Sequence, residues 1–180
     1  MRSLAHSPLL RPAALVLAVA LALISLIVSP STAQAVSPVG ARTVVTKSGL
    51  SLTVNPARQL NPAGATVRVV GKGFNPTVGI YVALCVTPAK GQTPGPCGGG
   101  VNTSGTSAAS FWISSNPPPY GSSLAIPYRK GGRFAVTLQV SSMIGDVDCR
   151  TVSCSIVTRA DHTRPGERAY DVIVPVTFRP

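Results

Sequence analysis

The side chains on which chemistry could rest in this sequence are few: four cysteines, two histidines and five carboxylates. The cysteines are Cys85, Cys97, Cys149 and Cys154, and the last two stand in "GDVDCRTVSC" with four residues between them. A structural zinc site wants two close cysteine pairs or histidines beside them. His6 falls in an N-terminal apolar segment, which leaves His162 alone. A thioredoxin-type redox pair is spaced C-x-x-C, and this spacing is C-x4-C. An even number of cysteines suits a disulfide framework in an oxidising compartment. Three pairings are open, of which the pairing of sequence neighbours is the simplest. Loops of those lengths contribute roughly 3 kcal/mol (Cys85 with Cys97) and 2 kcal/mol (Cys149 with Cys154) in the chain-entropy model.

The remaining candidates carry less. His162 sits in the polar stretch "TRADHTRPGER", and no G-x-S-x-G nucleophile elbow occurs anywhere. A lone loop histidine beside an aspartate is a weak start for a triad. Paired acid–base chemistry would have to draw on Asp146, Asp148, Asp161, Glu167 and Asp171. Asp146 and Asp148 would point the same way along a strand, but two carboxylates without further oxygen ligands are a weak calcium signal. There is no phosphate loop, zinc spacing or dinucleotide fingerprint. Asn102-Thr103-Ser104 has the composition of a glycosylation sequon. The residues predict no catalytic residue, no metal and no cofactor, so the protein is not read as an enzyme.

The elements around these residues begin with an export signal. Arg2 and Arg11 form a basic region, residues 12–28 are almost wholly apolar, Ser29-Pro30 breaks the helix, and Ala33-Gln34-Ala35 supplies a small-residue cleavage site. The alternative is a retained anchor, since about 17 apolar residues lie at the lower limit for spanning. The reading is a signal peptide over residues 1–35, a tether or edge strand over 36–49, and one domain over 50–180, secreted, monomeric and with no membrane segment after cleavage. Without Arg2 and Arg11, 14 basic residues face 5 acidic ones, a charge of about +9. That charge serves solubility or an anionic partner such as a cell-wall polymer. The basic residues are scattered and not interleaved with aromatics, which argues against direct DNA binding.

From Leu50 onward the pattern has period two. "LSLTV" sets Leu50, Leu52 and Val54 on one face. "ATVRVVGKGF" does so with Ala65, Val67 and Val69. "GIYVALCV" sets Ile80, Val82, Leu84 and Val86 opposite Tyr81, Ala83 and Cys85. "RFAVTLQV", "CSIVTRA" and "YDVIVPVTF" are further strands, and Gly, Pro and Asn clusters divide them. Pro175 cannot donate to a ladder, so the last strand belongs at an edge or carries a bulge. The pattern predicts an all-β sandwich. Residues 94–132 form a long irregular excursion holding Phe111, Trp112, Tyr120 and Tyr128, which should be ordered and packed against the sandwich.

Two segments carry a resemblance. "LTVNPARQLNPAGATVRVVGKGFNPTVGIYVALCV" resembles the opening of the neocarzinostatin family, with its Thr-Val-x-Pro strand and its glycine-flanked hairpin leading to a strand that ends in cysteine. "GDVDCRTVSCSIVTRADHTRPGERAYDVIVPVTF" resembles that family's last hairpin, with Val-Asp-Cys-x4-Cys and a closing valine-rich strand. The match covers about half of the chain after residue 35, at its two ends. The resemblance implies a seven-stranded immunoglobulin-like β-sandwich or barrel with a side cleft. It pairs Cys149 with Cys154 in a tight bridge and Cys85 with Cys97 in a wider one. Family members are secreted by actinomycetes, and the well-known ones carry an enediyne antibiotic chromophore that cleaves DNA. The expectation is therefore a secreted, non-enzymatic module holding an apolar small molecule or partner segment in a cleft lined by Phe111, Trp112, Tyr120 and Tyr128. A structural or adhesive envelope domain without a small ligand, using its charge against anionic cell-wall polymers, is the alternative. The basic charge and the excursion around Trp112 stand outside the resemblance.

Overall fold

Alternating apolar side chains need two surfaces to bury between, and the strands arrange themselves as two stacked sheets. The computed structural model describes residues 40–180 apart from 101 and 103. The expected signal and cleavage site, and the middle residue of the 102–104 sequon, lie outside the described residues. In chain order the strands are β1 (Arg42–Val45), β2 (Ser51–Asn55), β3 (Ala65–Lys72), β4 (Ile80–Val86), β5 (Ser110–Ile113), β6 (Ala125–Ile126), β7 (Phe134–Val140), β8 (Met143–Ile144), β9 (Val147–Asp148), β10 (Cys154–Ala160) and β11 (Val172–Val176). A single 3-10 turn, Pro119–Gly121, stands between β5 and β6.

One sheet has the order β1-β2-β3-β7 and the other β11-β10-β4-β5-β6, while β8 and β9 form a separate hairpin. Seven of these strands (β1, β2, β3 and β7 against β4, β10 and β11) make the expected immunoglobulin-like sandwich. The other two in the larger sheet come from the excursion, which extends the sheet instead of looping free of it. Strand β5 pairs antiparallel with β4, and β6 lies parallel to β5. Pro175 sits in β11, the edge strand of its sheet, where no further ladder asks it for an N–H.

The interior is filled from both sides. Leu52, Val54, Val67, Val69 and Leu138 of the four-stranded sheet meet Ile80, Val82, Leu84, Ile113, Ile156 and Val174 of the other, all buried. Each such side chain contributes about 1.5–3 kcal/mol by leaving water. Arg42 closes one side of the sandwich by donating from Nη1 to the Pro175 carbonyl at 3.0 Å. Cys149 is bonded to Cys154, tying the turn that leads into β10, and Cys85 is bonded to Cys97, tying the start of the excursion to β4.

What positions the site is the second face of the larger sheet. An antiparallel sheet commonly buries one face and leaves the other in water. Here β4 and β10 are buried on both: Ala83, Cys85 and Val157 form a small apolar cluster on the outer side, with Cys97 and Ile173 packed against it. The excursion covers this outer face.

Candidate binding cleft

Strand register places three long side chains in one row across three neighbouring strands. Arg159 of β10 is opposite Tyr81 of β4, and Tyr81 is opposite Trp112 of β5. Their inward neighbours Ile80 and Ile113 enter the core, so alternation sends this row to the outer face. Tyr81 and Trp112 lie with ring centroids 6.2 Å apart.

His162, just beyond the end of β10, completes an aromatic wall. Its ring stands edge-on to Trp112 at 5.2 Å. Its Nδ1 is bonded to the Tyr81 hydroxyl at 2.5 Å and its Nε2 to the Tyr120 hydroxyl at 2.7 Å. A neutral imidazole donates from one nitrogen and accepts at the other, and a phenol can take either part, so one histidine holds both tyrosines. Burial, followed by the nearby Asp161 charge, pushes the Tyr81 hydroxyl above the ordinary tyrosine range.

The wall is braced from behind. The Trp112 indole N–H donates to Asp161 Oδ2 at 2.8 Å, and Asp161 is only 2% exposed. Asp161 Oδ1 accepts from the Thr163 N–H at 2.9 Å and from its hydroxyl at 2.6 Å, a local Asx turn that fixes the carboxylate. Two glycines make room. A Cβ at Gly79 would stand 1.9 Å from Asp161 Oδ2, and one at Gly121 would stand 2.2 Å from Trp112 Cζ3. The 3-10 turn can rest on the indole face because residue 121 has no side chain.

A cavity of about 640 Å³ opens in front of this wall, lined by Tyr81, Phe111, Trp112, Tyr120, Arg159 and His162 among others. A smaller one of about 290 Å³ adjoins it beneath the Cys85–Cys97 loop, against Ala83, Pro94, Pro96 and Val157. The two share Tyr81, Gly100, Ser110 and Arg159. The larger volume falls within the roughly 300–1,000 Å³ of small-molecule sites.

The chain is similar to macromomycin. That solved structure, of the family the sequence resembles, matches at 24% identity with a TM-score of 0.48, over 73% of this chain and 100% of macromomycin. No family model matches the sequence. Among curated proteins, the "Thiamine biosynthesis protein X" of Corynebacterium glutamicum is 31% identical over 130 residues, or 72% of this chain, and the chain spans 63% of that relative's length.

Of the aromatics expected in a cleft, Phe111, Trp112 and Tyr120 line the larger cavity. Tyr128 does not. Its ring stacks on Phe74 at 6.4 Å and meets Phe134 edge-on at 6.3 Å. Its hydroxyl donates to the Val78 carbonyl at 3.1 Å, and burial raises its ionisation far above the usual range. Tyr128 anchors the end of the excursion by packing against the Phe74–Phe134 pair. Cys85 and Cys97 line the smaller cavity, while Cys149 and Cys154 line neither. Asp148, read from sequence beside Asp146 as a weak cation ligand, is engaged by the Arg150 guanidinium. Among the described residues no three His, Cys, Asp or Glu side chains come together to hold a metal ion.

Tyr81, Arg159 and His162 are the cleft residues that sequence reasoning did not place there; His162 was weighed as a metal or triad residue. A signal for Tyr81 was present, since "IYVALCV" is apolar at every position and marks a strand covered on both faces. Nothing local points to His162, whose partners Tyr81 and Tyr120 are 81 and 42 residues away.

Proposed function

We propose that this chain is an exported, non-enzymatic binding module whose cleft on the outer face of the five-stranded sheet holds an apolar small molecule. The observation that carries the reading is the cavity of about 640 Å³ walled by Tyr81, Trp112, Tyr120 and His162, with the first two braced on a disulfide-stapled sheet. An aromatic wall braced by the buried Trp112–Asp161 hydrogen bond binds an apolar guest with limited reordering. The role agrees with what the neocarzinostatin resemblance implies, and two disulfides with no free cysteine among the described residues suit an oxidising compartment. Among those residues no helix is long and apolar enough to cross a membrane.

Native mass spectrometry of the protein from its host's culture fluid, beside a denatured control, tests this. A mass lost on denaturation identifies a carried molecule. Its addition back to stripped protein should quench or shift the emission of Trp112, the chain's one tryptophan. A native mass equal to the polypeptide, with Trp112 emission unmoved by an apolar extract of the same culture, would refute the reading. The envelope domain without a ligand would then stand.

A further inference from the structure

The row that builds the aromatic wall ends in a cation. Arg159 lines both cavities at the place where they meet. One guanidinium nitrogen, Nη1, donates to the Pro94 carbonyl at 3.3 Å, and Nε is buried without a partner. No carboxylate among the described residues forms an ion pair with it. Asp161 is committed to Trp112 and Thr163; Asp171 Oδ2 is paired with Arg168 at 3.2 Å, while its Oδ1 is buried without a partner and Arg159 acts on the carboxyl only from beyond ion-pair distance. No acidic side chain lines either cavity. A partly buried guanidinium without a contact ion pair, beside cavities with no acidic lining, favours an anion placed against it.

We propose that Arg159 is the specificity-determining residue of the cleft, and that the ligand is a planar apolar molecule bearing an acidic group. The rings lie along Tyr81, Trp112 and Tyr120, and the acid oxygens meet the Arg159 fork. This rests on the reading of the cavity as a ligand site. A planar fork matches an acid group better than a point charge does, and a neutral ligand of the same shape gains nothing from it. The aromatic wall gives affinity for any flat guest, while Arg159 selects among guests by charge.

Two fluorescent probes with the same ring skeleton separate these parts: 8-anilino-1-naphthalenesulfonate, and the neutral N-phenyl-1-naphthylamine, which lacks the sulfonate. The wild-type protein should bind the sulfonate at least about tenfold more tightly, the ratio a charge-assisted contact gives. Arg159→Gln should bring that ratio close to one, weakening the sulfonate by more than it changes the neutral probe. Arg129→Gln removes the same charge from an exposed site outside the cleft and should keep the ratio, which controls for the basic surface. Arg159→Lys, which keeps the charge but not the fork, should retain only part of the preference and tests the point even if the glutamine variant folds poorly. A ratio near one in the wild type, or one that Arg159→Gln leaves intact, overturns the role of Arg159 while the cleft stands. Failure of both probes to bind overturns the cleft as well.

Discussion

Removing the carboxylate of Asp161 should cost the protein about 3 kcal/mol and loosen the aromatic wall together. The carboxylate is 2% exposed and accepts three hydrogen bonds, one from the Trp112 indole and two from Thr163. In Asp161→Ala the buried indole N–H is left without a partner, a loss of about 1–3 kcal/mol. The Thr163 donors are nearer to solvent and can turn to water, so each adds about 0.5–1 kcal/mol. For a domain of this size the sum lowers Tm by roughly 10 °C. Trp112→Phe deletes the indole donor together with part of the ring system while keeping a phenyl ring against Tyr81 and His162. The double variant should then be less destabilised than the two singles together, by about 1–2 kcal/mol of coupling. Differential scanning calorimetry is the assay, because Trp112→Phe removes the chain's one tryptophan. In Asp161→Ala alone the emission should shift to the red as the indole gains water. A loss below about 1 kcal/mol, or a cycle additive within about 0.5 kcal/mol, would refute the claim that Asp161 braces the wall.

The two disulfides should separate stability from binding. Cys149→Ala with Cys154→Ala should cost about 2 kcal/mol in urea unfolding and leave probe binding intact, whereas Cys85→Ala with Cys97→Ala should cost about 3 kcal/mol and weaken binding, because that bridge walls the smaller cavity. Acid behaviour should reveal Asp148, whose carboxyl is held down at about 2 by hydrogen bonds from the Arg150 side chain. Its folded value lies below the unfolded one, so the contribution is complete above about pH 4 and is lost as pH falls toward 2. Asp148→Asn should flatten the decline of the urea midpoint over that window and change nothing at pH 7 beyond the small effect of an exposed pair.

Most of the sandwich was legible because its strands obey a local rule. Leu52 and Val54, Val67 and Val69, Ile80, Val82 and Leu84, and Val172 and Val174 are buried at the alternate positions their sequence patterns mark. The edge position of β11 followed from Pro175. The cleft was only half legible, because its wall is made by register and not by pattern. The aromatics of the excursion drew notice, and Phe111, Trp112 and Tyr120 do line the cavity. Their separation from Tyr128 depends on which pocket each ring meets, and complementarity between distant segments leaves no period in the chain. Arg159 is one letter in "CSIVTRA"; its meaning appears only when β10 lies beside β4 and sets it opposite Tyr81. The two residues of β6 that run parallel to β5 have no local signature either.

The excursion is fastened at both ends and, between them, by the pairing of β5 with β4. Its start is clipped to β4 by Cys97, and its end is buttoned into the core by Tyr128. The interior of the sandwich draws on the excursion at Ile113, with Phe111 and Ile126 packed against it from the cleft side. The molecule is thus built like a picture mount with an exchangeable insert. Residues between those two fasteners can be rewritten within the limits set by Gly121 against Trp112 and by Phe111, Ile113 and Ile126, which enter the core or pack against it. A library that varies this insert and keeps Cys85, Cys97, Phe111, Trp112, Ile113, Ile126 and Tyr128 would offer one disulfide-stapled fold to many flat guests.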